Sequence, residues 1–115
     1  LKQTIELKCG RAADILKSLP ADIEPFDFIF IDADKQSYPE YLELSLNLSH
    51  SGTLIFLDNV IRAGDIINPE NHKPSIEGIR DMFKAMQNHP KILSCTALQT
   101  VGSKGHDGFA LAIVK

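Results

Sequence analysis

The stretch Phe26–Lys35, FDFIFIDADK, decides the fold class. Its first part, Phe26–Ile31, is nearly continuous in apolar, β-forming residues. It lacks the alternation of a half-exposed strand, which is the pattern of a strand covered on both faces. The run then ends in charge, at Asp32-Ala33-Asp34-Lys35. A second unit of the same kind follows: Thr53–Leu57 (TLIFL) reads as a buried strand and stops at Asp58-Asn59. Between them the spacing predicts a helix over Ser37–Leu48, with Tyr41, Leu44 and Leu48 in a stripe. Ser37 is placed to cap that helix, and Pro39 is tolerated in its first turn. His50-Ser51-Gly52 breaks the pattern before the second strand.

Working outward, Thr4–Lys8 reads as a short strand and Arg11–Ser18 as a helix with Ala12, Ile15, Leu16 and Leu19 on one side. Ile61–Lys73, with Gly64 and Pro69, reads as a loop holding a short turn. Ser75–Gln87 is predicted to be a helix that turns Ile79, Met82, Phe83 and Met86 inward and stops at Asn88-His89-Pro90. Ile92–Val101 and Gly108–Val114 read as two last strands, an antiparallel hairpin joined by the loop at 102–107. Strand and helix alternate up to that hairpin, so the expected class is α/β, with a mostly parallel sheet and an antiparallel C-terminal edge. No repeat or Gly/Ser linker divides residues 1–115, which read as part of a single domain. Right-handed crossovers put the strand C-termini on one rim, where open α/β sheets bind ligands. The residues just past Ile31 and Leu57 therefore carry the functional reading.

Composition narrows the field. The 115 residues are 43% hydrophobic and 23% charged, ordinary for a globular protein. A formal net charge of -3 argues against a nucleic-acid surface. No run approaches the roughly 20 apolar residues of a membrane span, so no membrane partner is expected. Leu1–Gly10 alternates polar and apolar residues, unlike a secretory leader. Cys9 and Cys95 fit no CxxC pattern and are expected to be reduced core cysteines of a cytoplasmic protein. The four His (50, 72, 89 and 106) show no ligand spacing and are expected on loops or at the surface.

At the rim, two neighbouring strands would bring together Asp32, Asp34, Lys35, Asp58 and Asn59. Asp32, Asp58 and Asn59 offer hard oxygen ligands, suited to Mg²⁺, Mn²⁺ or Ca²⁺ and not to zinc. A divalent ion there, Mg²⁺ first among the three, would offset the repulsion between the carboxylates and acidify a bound substrate hydroxyl. Lys35 is the candidate general base for that proton, given burial or a cation beside it. Taken singly, each residue has a plainer reading: Asp34 as a turn or cap residue, Asp58-Asn59 as a turn, Lys35 as a solvated lysine. Their coincidence at two strand ends is what favours a site.

Phe26–Tyr41 (FDFIFIDADKQSYPEY) and Gly52–Gly64 (GTLIFLDNVIRAG) together resemble the metal-dependent caffeoyl-CoA and catechol O-methyltransferase family. The similarity extends through Gly10-Arg11-Ala12 and the terminal DGFALAIVK, and it covers the C-terminal half of such a domain. IDADK followed by a strand and DNV is a specific pairing; Gly-x-Ala alone is weak. The resemblance implies a Rossmann-like fold and S-adenosylmethionine as methyl donor. It implies that Asp32, Asp58 and Asn59 hold the metal, and that Lys35 is the catalytic base. Gly10, Ala12, Asp32, Asp34 and Tyr41 fall at cofactor-binding positions, Ala12 beside the adenine and Asp34 and Tyr41 at the amino-acid end. The acceptor would be a small catechol-like phenol chelating the ion, and homodimers occur in the family.

The chain also departs from that pattern. Family members are about twice as long, and the glycine-rich loop and the ribose-gripping acid of their first half have no counterpart here. The family sheet places two further strands between Thr4–Lys8 and Phe26–Ile31, so catalysis by this chain alone is not expected. Ala63 stands where some plant members carry a substrate-contacting Asn, which disfavours a bulky CoA thioester. From another class, a phosphoacceptor receiver module also sets an Asp beside Mg²⁺. It needs an acidic pair after its first strand, where this chain has Cys9-Gly10-Arg11. A nicotinamide dehydrogenase would require a Gly-x-Gly fingerprint that the sequence lacks.

Overall fold

Strand β2 (Ser49–Asp58) is the hub of the structure, a computed structural model describing residues 1–115. It pairs in parallel with β1 (Phe26–Ile31) and antiparallel with β4 (Gly105–Val114), which in turn pairs antiparallel with β3 (Ile92–Gly102). The sheet order is β1-β2-β4-β3. Helices α1 (Ala12–Ser18), α2 (Tyr38–Asn47) and α3 (Pro74–Met86) complete the regular structure, with 3₁₀ turns at Lys35–Ser37 and Arg62–Ile67. The α/β class and the C-terminal antiparallel hairpin agree with the sequence reading, but the sheet is mixed and not mostly parallel: only β1 and β2 run parallel, because β4 enters between β2 and β3 as an antiparallel strand. No helix is long and apolar enough to cross a membrane.

Alternation along the strands sends Ile55, Leu57, Ala110 and Ala112 to one face, where they lose all exposure. Against them α3 presents Ile79, Met82 and Met86, spaced for one helical stripe, and α2 presents Tyr38, Tyr41, Leu42 and Leu46. Each such large apolar side chain contributes about 1.5–3 kcal/mol by leaving water. The small Ala110 and Ala112 on β4 leave room for this double layer. Ser45, not Leu44, completes the buried α2 face, and Leu44 and Leu48 are only half-buried.

Several expectations are corrected. Thr4–Lys8 forms no strand: residues 1–10 are exposed and irregular, because no neighbouring strand satisfies their backbone. The β1 run is not covered on both faces; Phe28 and Phe30 stay 53% and 55% exposed, since no layer packs on that side. Cys9 and Cys95 are free but exposed, not core residues. β2 begins at Ser49 instead of Thr53, because the Thr53 hydroxyl accepts from His50 N (3.0 Å) and donates to Phe26 O (2.6 Å), tying the 49–53 segment to β1. The 102–107 loop shrinks to a turn at Ser103-Lys104, with Gly105 at φ 93° and Gly102 paired to it. In α1 the buried residue is Ala13, whereas Ala12 faces outward. The histidines are peripheral as expected, three of them paired with acids: His50 with Asp27, His72 with Glu77 and His89 with Glu43.

Candidate active site

The register fixes the site. Ile31 pairs with Leu57, so Asp32 and Asp58 follow one another at adjacent strand ends. Asp32, Asp34, Lys35 and Asn59 line one open cleft of about 560 Å³, together with Arg62 and Ser75. A neighbouring hollow of about 180 Å³ is lined by Ala12, Phe30, Asp32 and Tyr41. Asp32 thus belongs to both. Asp58 does not line the first cleft but adjoins Asn59, which does, its Oδ1 accepting from Asn59 N at 2.8 Å. Gly10 lines neither hollow; at φ 149° it turns the chain into α1, and a Cβ there would press within 3.3 Å of Ile15 Cδ1.

Lys35 is not a solvated lysine. Its side chain is 8% exposed, and Nζ donates to Tyr38 Oη at 2.6 Å and to Asp32 Oδ1 at 3.3 Å. Tyr38 in turn donates to the carbonyl of Asp58 at 2.7 Å. Burial pushes the Tyr38 phenol well above its ordinary range, and the Asp32 and Asp58 charges add to this, so the hydroxyl stays a donor. One buried phenol therefore links the two strand ends through Lys35. Asp34 accepts from Ser37 Oγ, and its Oδ1 accepts from Tyr41 Oη at 2.5 Å. The Ser37 bond, then the Tyr41 bond, holds the Asp34 carboxyl below the usual carboxylate range. Ser37 consequently makes no side-chain cap to α2; its hydroxyl is committed to Asp34.

The turn after β2 is conformationally unusual. Asn59, Arg62 and Ala63 all have positive φ (59°, 56° and 55°), followed by Gly64 at 89°. Non-glycine residues in that region are uncommon and gather where a loop is held from outside. Here Asp107 holds it. Its Oδ1 accepts from Gly108 N (2.9 Å), Arg62 N (3.0 Å) and Ile61 N (3.2 Å), and its Oδ2 accepts from Asn59 Nδ2 (3.2 Å). Burial alone would raise the Asp107 carboxyl, but these bonds outweigh it and hold the group below its ordinary value. Farther along, Arg80 fastens the 65–71 segment by donating to the carbonyls of Asp65, Ile66, Asn68 and Asn71.

Three residues of this site escape the sequence reading. Tyr38 sits one helical turn from Lys35, and that spacing was available as a signal. Gly78 lies inside α3, where glycine costs about 1 kcal/mol relative to alanine. A Cβ on it would meet Lys35 O at 2.4 Å and Gln36 Cα at 2.5 Å, so only glycine lets α3 brace the Lys35 loop. Asp107 falls within the segment expected to be a hairpin loop, and its partners in the turn after β2 are 45–48 residues away in sequence, beyond any local pattern.

No three His, Cys, Asp or Glu side chains come together as a metal-holding group. The oxygen set at the rim is two carboxylates and a carboxamide, with Asp107 occupying the Asn59 amino group and leaving its carbonyl oxygen free of it.

Comparison with known proteins agrees with this geometry. A family model described as O-methyltransferase matches residues 1–112. A catechol O-methyltransferase of Niastella koreensis is 46% identical over 100% of the chain and 52% of its own length. One of Mycobacterium tuberculosis is 41% identical over 96% of the chain and 49% of its own length. The crystal structure of an O-methyltransferase from Bacillus cereus, in complex with SAH, superposes with a TM-score of 0.90 at 50% identity, covering 96% of the chain and 50% of that protein. The chain spans about half the length of the relatives it matches. With a match along nearly the whole sequence and the same strand and helix arrangement, the receiver and dehydrogenase alternatives fall away, and the chain belongs to the O-methyltransferase family.

Proposed function

We propose that this chain carries the metal and hydroxyl side of an S-adenosylmethionine-dependent O-methyltransferase acting on small catechol-like phenols, within a longer domain that completes the donor pocket. The observation that carries the reading is the meeting of Asp32, Lys35, Asp58 and Asn59 at two adjacent strand ends in a chain of this family. The donor chemistry fits a hard divalent cation, because Asp32 and Asp58 supply carboxylate oxygens and Asn59 a carbonyl oxygen. The ion, when bound, supplies Lewis acidity that makes a substrate hydroxyl a better nucleophile at neutral pH.

The remaining work falls to the chain's own groups. Lys35, fixed between Tyr38 and Asp32, stands at the cleft to hold a proton leaving a phenol. Tyr38 keeps the two strand ends in register by bonding the Asp58 carbonyl, and such fixed positioning is worth much of a rate enhancement. Asp34, ionised and oriented by Ser37 and Tyr41, presents negative charge toward the cleft, matching the cationic donor. Ala12 and Tyr41 border the second hollow together with Asp32, and the donor would bind along it.

The test is Asp58→Ala in the full-length polypeptide, assayed with a catechol, S-adenosylmethionine and Mg²⁺. Turnover should fall by more than about 100-fold while the circular dichroism spectrum is retained. Undiminished activity in that variant, or in the parent under excess chelator, would overturn the metal assignment.

A further inference from the structure

Asn59 can present either end of its carboxamide to the cleft, and the two ends are opposite in effect: a carbonyl oxygen attracts a cation and an amino group repels one. Nothing in the Asp58-Asn59 sequence chooses between them. The choice is made by a residue of β4, the neighbouring strand in the sheet but far away in sequence. Asp107, on β4, directs one carboxylate oxygen at Asn59 Nδ2 (3.2 Å). Its other oxygen is taken by the backbone N–H groups of Ile61, Arg62 and Gly108. A carboxylate only accepts, so the amino end of Asn59 must turn toward it and the carbonyl oxygen is left for the cleft.

The approach of β4 to this turn is itself built in. Gly108 O accepts from Val60 N at 3.0 Å. A Cβ on Gly108 would meet Leu98 O at 2.3 Å and Ile61 Cγ1 at 2.5 Å, so any larger residue would push Asp107 away from the turn.

We propose that Asp107 is a positioning residue which fixes the Asn59 carboxamide with its oxygen toward the cation site; this rests on the metal reading given under Proposed function. The consequence is specific to chemistry and not to size. In Asp107→Asn the new carboxamide has one oxygen, which the three backbone N–H groups claim, and its amino group then faces Asn59. Asn59 must flip to accept from it, and its own amino group swings to the cleft. Adding Asn59→Asp removes the conflict, because a carboxylate accepts at both ends and again offers the cleft an oxygen.

The experiment is calorimetric titration of Mn²⁺ into the full-length protein and its variants, with thermal unfolding followed in parallel. Asp107→Asn should weaken Mn²⁺ binding about 10- to 100-fold, the scale of losses on disturbing a group that orients a metal ligand. The double variant Asp107→Asn/Asn59→Asp should recover most of that loss, whatever either does to the melting temperature. Unchanged Mn²⁺ affinity in Asp107→Asn overturns the inference, as does a loss that Asn59→Asp leaves unrepaired, which would mark Asp107 as merely structural. Asp58→Ala serves as the control. If it binds Mn²⁺ as tightly as the parent, the metal reading itself has failed and takes the inference with it. If it loses binding while Asp107→Asn does not, only the orienting role has failed.

Discussion

On the side of the sheet where α2 and α3 lie, Ile55, Leu57, Ala110 and Ala112 have no exposed surface, while on the other side Phe28 and Phe30 keep 53% and 55% of theirs. The two sides are made from the same kind of residue. The open side even carries an aromatic ladder, with Phe30 and Phe56 ring centroids 5.2 Å apart and Phe56 and Phe109 at 4.6 Å. The difference is therefore not polarity but partners: helices cover one side, and β1 has no further strand on its outer edge. Contiguous apolar surface of this kind marks a place where something packs. The relatives that this chain matches are about twice as long as it is. The candidate active site lies on the rim, braced from the covered side by Tyr38 and Gly78 and from β4 by Asp107.

The sharpest way to break this contrast is a charge in the covered layer. Leu57→Asp would bury a carboxylate among Ile79, Met82 and Ala110 with no partner, at a cost above about 4 kcal/mol. That is a large share of the stability of a small domain, so the variant should lose cooperative urea unfolding. A midpoint close to that of the parent would mean the covered layer is not the core. A smaller effect is expected where that layer reaches the rim. Tyr38→Phe keeps the ring packed but strips the bond to the Asp58 carbonyl and the nearer of the two Lys35 contacts, costing about 1–3 kcal/mol. A loss under about 0.5 kcal/mol would show that water replaces the hydroxyl and that the phenol does not tie the strand ends together.

How far the sequence reveals all this depends on the range of the interaction. Strands β1 and β2 and helices α2 and α3 are legible because each has its own periodicity and its own stop signal. The rim carboxylates are legible because they follow directly from strands. Thr4–Lys8 misleads because strand propensity is local while strand formation needs a neighbour, and residues 1–10 have none here. FDFIFI signals burial on two faces, but a pattern of that kind states what a strand requires and not whether this chain supplies it. Asp107 and Gly78 were hidden for another reason. Their roles arise from contacts across 40 or more residues, between Gly78 and Lys35 and between Asp107 and Asn59, for which no spacing rule exists. Tyr38 illustrates the intermediate case: its turn-spaced relation to Lys35 is local, but its bond to Asp58 is not.

The smallest effect should come from the open side. Phe30→Thr exchanges a half-exposed ring for a residue equally suited to a strand, so the 115-residue chain loses little beyond the ring contact with Phe56. That contact is worth about 0.5–1.5 kcal/mol, and relief of exposed apolar area offsets part of it. Binding of a hydrophobic dye should fall at the same time, because the ladder loses one end. In a longer polypeptide that packs on this side, the same substitution should cost about 3–5 kcal/mol, the range for emptying a buried aromatic position. The pair of measurements thus separates two explanations of the open side. A small loss in the short chain with a large one in the longer polypeptide identifies the surface as an interior face awaiting its layer. Equal small losses would mean that the ladder stays in water in both, and that the contrast between the two faces belongs to the folded protein itself.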